Sequence, residues 1–425
     1  MSSLKDKLNN IYNKEDTKED KANKLRKQLN RIYRNKKKKP SRKQKSQPDF
    51  TKLIDLLDGN KIESADQSII LVKNRFNMSD NYGDIDLRRI YDYTGADYDQ
   101  YLHVGKIKYP EQLLFIDTET TGLAGGTGTI AFMIGIGWIE NQIFYTWQYF
   151  LPELKSEGLL LQKVKEKTDG FSALVSYNGK SFDLPMLTSR FLLNRQKPIP
   201  ENLPHIDLLH LNRSLWRYSS ENCKLQTIEA EKFQLYREDD IPGELIPSVY
   251  FNFLNNRGDI RKVVNIFEHN RLDIISMLAN LICVFEAFKK ESPSKDPLDD
   301  YAKGRHFKRR KKIKRSIRHY KNVLSSDITE NRRFKTLMEL AGIYKKEKQY
   351  LQAIPLWLEA IELDFASVTP LIELAKYYEH KTRRFSKAIE YTEQALNIVE
   401  ENDVITLEKL RKRLQRLKRK SKKEK

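Results

Sequence analysis

The segment Leu113-Leu-Phe-Ile-Asp-Thr-Glu-Thr-Thr-Gly122 decides the fold. Its first four residues are large and apolar, without the alternation of a half-exposed strand, so they read as a strand buried on both faces of a sheet. The strand then turns polar. Asp117 and Glu119 stand at i and i+2, and alternate side chains of a strand leave the same face. Two carboxylates are thereby delivered to one place, where a hard divalent cation finds the oxygen ligands it prefers. In a solvated loop the same Asp-x-Glu would be two hydrated charges, so the reading needs partners elsewhere in the chain.

Working outward, Ile130 to Ile139 and Gln142 to Phe150 are β-branched and aromatic runs meeting at Glu140-Asn141, which predicts a hairpin. Leu159 to Glu166 predicts a helix, Ser172 to Ser176 a strand, Phe182 to Asn194 and Lys224 to Phe233 helices, and Ile206 to Leu209 a short apolar element. A long helix is expected from about Ile260 to Lys290, with Val263, Ile266, Phe267, Ile274, Leu278 and Ile282 at helical spacing. Strands first, then alternating helices and strands, describe an α/β domain over 111–290: a mixed sheet flanked by helices. Residues 49–110, with a strand-like Ser68 to Lys73 and a Tyr-rich stretch, read as an N-terminal extension of that domain. Residues 1–48 have little to pack and read as a basic disordered tail.

Beyond a basic linker expected at 291–314, residues 315–405 read as all-α. Leu340, Ala341 and Tyr344 return as Leu374, Ala375 and Tyr378 at an offset of 34. Tyr350, Ala353 and Ala360 return as Phe385, Ala388 and Ala395 at an offset of 35. Small residues beside aromatics let two helices pack closely, and the period is that of tetratricopeptide-like repeats. A basic tail, 406–425, is expected to follow.

The formal charge of +20 is concentrated in runs at 34–46, 308–321 and 409–425. Such runs attract a polyanion without sequence preference, although any one of them alone serves equally to keep a protein soluble. No apolar run reaches the length of a membrane span, so no membrane partner is expected. Only Cys223 and Cys283 occur, far apart, which excludes a thiolate zinc motif and suits a reducing, cytoplasmic setting.

Two further carboxylate positions suit the first pair. Asn178-Gly-Lys-Ser-Phe-Asp183 places an acid at a helix start, where it can also serve as a cap. His269-Asn-Arg-Leu-Asp273 places a base and an acid at i and i+4 on one helix face. With Asp-Thr-Glu-Thr-Thr-Gly, these segments resemble the three motifs of the DEDD family of 3'-5' exonucleases, a branch of the ribonuclease H-like superfamily. The joining of such a domain to tetratricopeptide repeats most resembles the bacterial YprB-like proteins.

The resemblance implies that Asp117, Glu119, Asp183 and Asp273 bind two Mg²⁺ or Mn²⁺ ions and that His269 deprotonates the attacking water. Thr118, Thr120, Gly122, Leu123, Asn178 and Lys180 would line the substrate, a single-stranded or frayed 3' end of DNA or RNA. One departure stands out: three residues separate His269 from Asp273, the spacing of the family's Tyr branch, where its His branch has four. The alternatives are an endonuclease on the same fold and a non-catalytic nucleic-acid adaptor whose repeats recruit a protein partner. The glycine-rich Gly122 to Gly128 is not a Walker A loop, lacking Gly-Lys-Ser/Thr and a following helix. Asp207 is expected to cap a helix or sit in an outer shell, Asp239-Asp240 to form a solvated turn, Phe182 to pack in the core, and Tyr177 to pack or to stack on a base.

Overall fold

The computed structural model describes residues 50–102, 104–105, 107–122, 128–200, 202–363, 367–400 and 402–424. The expected tail over 1–48, its basic run at 34–46 and the candidate Leu123 lie outside them. All described residues fall in one compact unit, 49–425.

Helix α1 (Phe50–Leu57) leads into β1 (Asn60–Ser64) and β2 (Gln67–Asn77), and a small ribbon pairs β3 (Asn81–Tyr82) with β4 (Ile85–Asp86). The central strand β5 (Leu113–Thr120) is followed by the hairpin β6 (Ala131–Glu140) and β7 (Ile143–Phe150). Asn141 and Gln142 both take left-handed φ, 51° and 59°, the tight connection that suits the twist of paired strands. β8 (Ala173–Ser176) and β9 (His205–Asp207) complete a seven-stranded sheet in the order β1-β2-β7-β6-β5-β8-β9. β8 runs parallel to β5, and β9 parallel to β8. Parallel neighbours need a crossover, and α2 (Glu157–Thr168) and α3 (Asp183–Leu193) supply it.

The unbroken apolar run of β5 is explained by a core on each side. Leu113 and Phe115 pack in one cluster; Leu114 and Ile116 pack in the other. α4 (Leu208–Trp216) belongs to the first, and α5 (Ile246–Leu254), which periodicity did not reveal, to the second. α6 (Ile260–Lys289) joins both: Val263, Ile266 and Phe267 lie in the second cluster, whereas Ile274 to Phe288 line the first. The residues between, 269–273, sit at the changeover.

Within the extension at 49–110, β1 and β2 are strands of the main sheet, with β2 antiparallel to β7. Within the stretch expected as a linker there is a helix, α7 (Pro297–Arg309), which packs on α4 and α8 (Ile313–Leu324). Asp296 caps it, accepting from Leu298 N at 2.8 Å, and Tyr301, Ala302 and Phe307 are buried. Its many basic residues hid an amphipathic helix. The rest is all-helical: α9 (Glu330–Lys346), α10 (Tyr350–Glu362), α11 (Val368–His380), α12 (Phe385–Ile398) and α13 (Val404–Glu424), each packed on the next. The repeated Ala341, Ala353, Ala360, Ala375, Ala388 and Ala395 are all buried, as close helix approach requires. The stretch expected as a basic tail, 406–425, lies largely in the helix α13, to which Leu410 and Leu417 give a buried face.

Candidate functional site

Asp117, Thr118 and Glu119 sit half-buried at the end of β5. Across the sheet, Gly135 lies opposite Asp117, and Gln148 lies opposite Gly135. A Cβ on Gly135 would stand 2.1 Å from Asn270 Oδ1 and 2.5 Å from Ile274 Cδ1, so bare backbone is what lets α6 come down on the sheet here. Asn270 uses the approach fully. Its Nδ2 donates to Asp117 Oδ2 at 2.7 Å, and its Oδ1 accepts from Gln148 Nε2 at 3.0 Å. The chain Gln148–Asn270–Asp117 therefore fixes the first carboxylate from the sheet side.

Asp183 arrives as the first residue of α3, and its Oδ1 accepts from the Thr118 hydroxyl. Asp207 shapes the loop before it. Its Oδ1 accepts from Asn178 N (2.9 Å) and Leu209 N (3.1 Å), and its Oδ2 from Lys180 N (3.1 Å). Asp207 is thus the cap of α4 and the anchor of residues 178–180, where Asn178 takes a left-handed φ of 67°. Asn178 and Lys180 contribute backbone N–H groups to this anchor, and the Lys180 side chain is exposed. The Thr120 hydroxyl donates to Gly122 O at 2.9 Å and closes the turn that leaves the strand.

α6 supplies His269, Asn270 and Asp273. His269 Nδ1 lies 2.7 Å from Asp240 Oδ1, and Nε2 lies 3.6 Å from Asp273 Oδ2. Asp240 therefore corrects the expected solvated turn: Asp239 is exposed, but its neighbour turns inward and orients the imidazole. Arg237 completes the arrangement. Its buried guanidinium donates to Glu229 at 2.8 and 2.5 Å, to Asp240 Oδ2 at 3.1 Å and to Asp273 Oδ1 at 2.5 Å. No periodicity marks residues 234–242, so the sequence offers Arg237 and Asp240 only as charges in an irregular stretch. Asn270 and Gln148 carry no signal in the sequence either, being neutral residues inside a long helix and a strand.

Phe182 is 52% exposed beside Asp183, which overturns its assignment to the core. Tyr177 is committed to the fold: its hydroxyl donates to Cys223 O at 2.5 Å and accepts from Asn212 Nδ2 at 3.1 Å.

The electrostatics identify the four acids as one cluster. Burial, then Asp273 and Asp183, hold the Asp117 carboxyl well above the usual range. Burial, then Asp117, Asp273 and Asp183, do the same to Glu119. Asp183 is pushed up to about 6, mainly by burial and against the Thr118 hydrogen bond. Burial pulls His269 down, but Asp240 and Asp273 outweigh it and the imidazole titrates above its ordinary value. Among the described residues, no three His, Cys, Asp or Glu side chains converge closely enough to enclose a metal ion as they stand. Asp117, Asp183 and Asp273 each meet a protein donor through one oxygen instead. The donor set nevertheless suits a hard cation: it is all carboxylate oxygen, and its mutual repulsion is what a divalent ion relieves.

Residues 114–282 match the family model of the RNase_H superfamily, a span that includes Asp117, Glu119, Asp183, His269 and Asp273. Over 314 residues the chain is 33% identical to a Bacillus subtilis (strain 168) protein described as uncharacterized protein YprB, covering 72% of this chain and 75% of that one.

Proposed function

The chain belongs to the same family as YprB, and its sheet domain to the RNase H superfamily; on that premise we propose that it is a metal-dependent nuclease, a 3'-5' exonuclease acting on single-stranded or frayed ends of DNA or RNA. The observation that carries the reading is the convergence of Asp183 and Asp273 on Asp117 and Glu119, whose proton affinity their charges raise. These four would hold two Mg²⁺ or Mn²⁺ ions, whose chemistry is to acidify a water and neutralise the leaving oxygen.

The chain's own residues do the rest. Asp240 accepts from Nδ1–H of His269 and so keeps Nε2 turned towards Asp273, where a base must stand to take a proton from water. The surrounding acids hold a proton on His269, and neutralising them is what frees Nε2 to accept one. Arg237 fixes Asp240 and Asp273 relative to each other and to α6. Exposed Phe182, next to Asp183, offers an aromatic face to a terminal base. Tetratricopeptide-type pairing of α9 with α10 and α11 with α12 is supported by the buried alanines at matching positions. Free Cys223 and Cys283 suit a reducing compartment, and no described helix is long and apolar enough to cross a membrane.

Purified protein with 3'- and 5'-labelled oligonucleotides in Mg²⁺, Mn²⁺ or chelator tests this. Mononucleotides released from the 3' end, only with metal and not by Asp117→Asn, are expected. Internal ladders would instead assign an endonuclease, and binding without cleavage in any metal would sink the enzyme reading.

A further inference from the structure

α13 carries ten Lys and Arg against Glu408 and Glu424 in 21 residues. A helix so charged repels itself, and two devices hold it to the helical region. Leu410 packs with Leu371 and Ala395, and Leu417 with Phe385 and Ala388. Between them the fully buried side chain of Glu379 accepts from Arg413 at 3.0 Å, Arg416 at 2.9 Å and Lys420 at 2.9 Å.

This docking fixes what the other face presents. At about 100° per residue, Arg411, Arg419, Lys422 and Lys423 lie within an arc of roughly 120° opposite Leu410 and Leu417, spread over about 18 Å of helix axis. All four are exposed, and none has an acidic partner among the described residues. Neighbouring Lys412 and Lys418 are exposed but paired with Glu408 and Glu393. Gln415, also exposed, lies within the stripe, which holds no aromatic or aliphatic side chain.

We propose that this outer stripe of α13 binds the phosphate backbone of a single-stranded nucleic acid. Unpaired cations on one rigid face neutralise phosphates and release their counterions, and without an aromatic platform the stripe grips the backbone rather than the bases. A membrane surface is disfavoured, because an interfacial helix inserts apolar side chains, and along the charged span of α13 these are buried (Leu410, Leu417) or half-buried (Leu414), exposed Val404 and Ile405 lying ahead of it. That the polyanion is a nucleic acid rests on the nuclease reading above.

The test compares full-length Asp117→Asn with the same chain also carrying Arg411→Gln, Arg419→Gln, Lys422→Gln and Lys423→Gln. Binding of a labelled single-stranded oligonucleotide is measured in chelator over a range of salt. The slope of log affinity against log salt should shrink by roughly 0.7 for each lost phosphate contact, about 2 to 3 in all, and affinity at ~0.1 M salt should fall at least about tenfold. An unchanged slope overturns the proposal, as does unchanged oligonucleotide binding with lost binding to anionic lipid vesicles. Matching circular dichroism of the two chains excludes unfolding as the cause. A shrunken slope beside a wild-type protein that never cleaves would sink only the nuclease reading; cleavage with an unchanged slope would sink only this one.

Discussion

Its contact with His269 separates Asp240 from the many surface aspartates of this chain. It accepts from His269 Nδ1, and the pull of His269 and Arg237 more than offsets burial to hold its carboxyl below the ordinary range. The anionic form is thus maintained where it is used. Asp240→Asn keeps the volume, but its amide can present a donor to Nδ1 and favour the other tautomer. The expected result is a fall in kcat of about 10- to 100-fold with KM little changed, the usual scale for losing an outer partner of a site. Nitrogen NMR of His269 should report the tautomer change directly, and an unaltered tautomer with normal kcat would remove Asp240 from the mechanism. The four acids were legible in the sequence because each falls at a stereotyped place: a strand end, a helix start, a helix face. Asn270 and Gly135 were not, because their importance exists only once α6 lies across β6.

The element whose role the sequence left blank is the N-terminal extension, and its contacts explain it. β1 and β2 widen the sheet, while the β3–β4 ribbon reaches the segment that carries Arg237 and Asp240. Asp84 N donates to Phe233 O at 2.8 Å, and Tyr82 Oη lies 2.9 Å from Ser276 Oγ on α6. Gly83 makes the approach possible: its φ is +57°, and a Cβ there would stand 2.3 Å from Phe233 O. Gly83→Ala should therefore push the ribbon away and release residues 233–240. Faster hydrogen exchange of those amides, with sheet amides unaffected and activity reduced, is the expected signature; uniform exchange would show that the ribbon supports nothing. No pattern in a Tyr-rich stretch could have revealed this, since the contact joins residues 150 apart. Central elements were legible for the opposite reason: β5, the β6–β7 hairpin and α6 carry long apolar patterns of their own. The helix α7 was masked by its charges, and α5 by its shortness.

At the scale of the whole molecule, positive charge is ordered by a few buried acids, and Glu379 is the clearest case. Burial alone would raise its pKa, but Arg416 and Lys420 outweigh that and hold it at about 2. A carboxyl depressed on folding contributes stability that is fully present above its unfolded value, near 4.3, and is lost as pH falls towards the folded value. The docking of α13 should therefore weaken as pH falls from about 4.5 towards 2. Since Arg416 and Lys420 are partly exposed, salt should weaken it as well. Other acids titrate in the same window, so the comparison that isolates Glu379 is with Glu379→Gln. That variant keeps the shape, gives up the charge, and should leave α13 loosened at every pH. Hydrogen exchange across 404–424, referenced to β5 amides, reads the difference: wild type should move towards the variant as acid is added. Equal protection of the two chains at neutral pH would mean that Leu410 and Leu417 hold the helix without help.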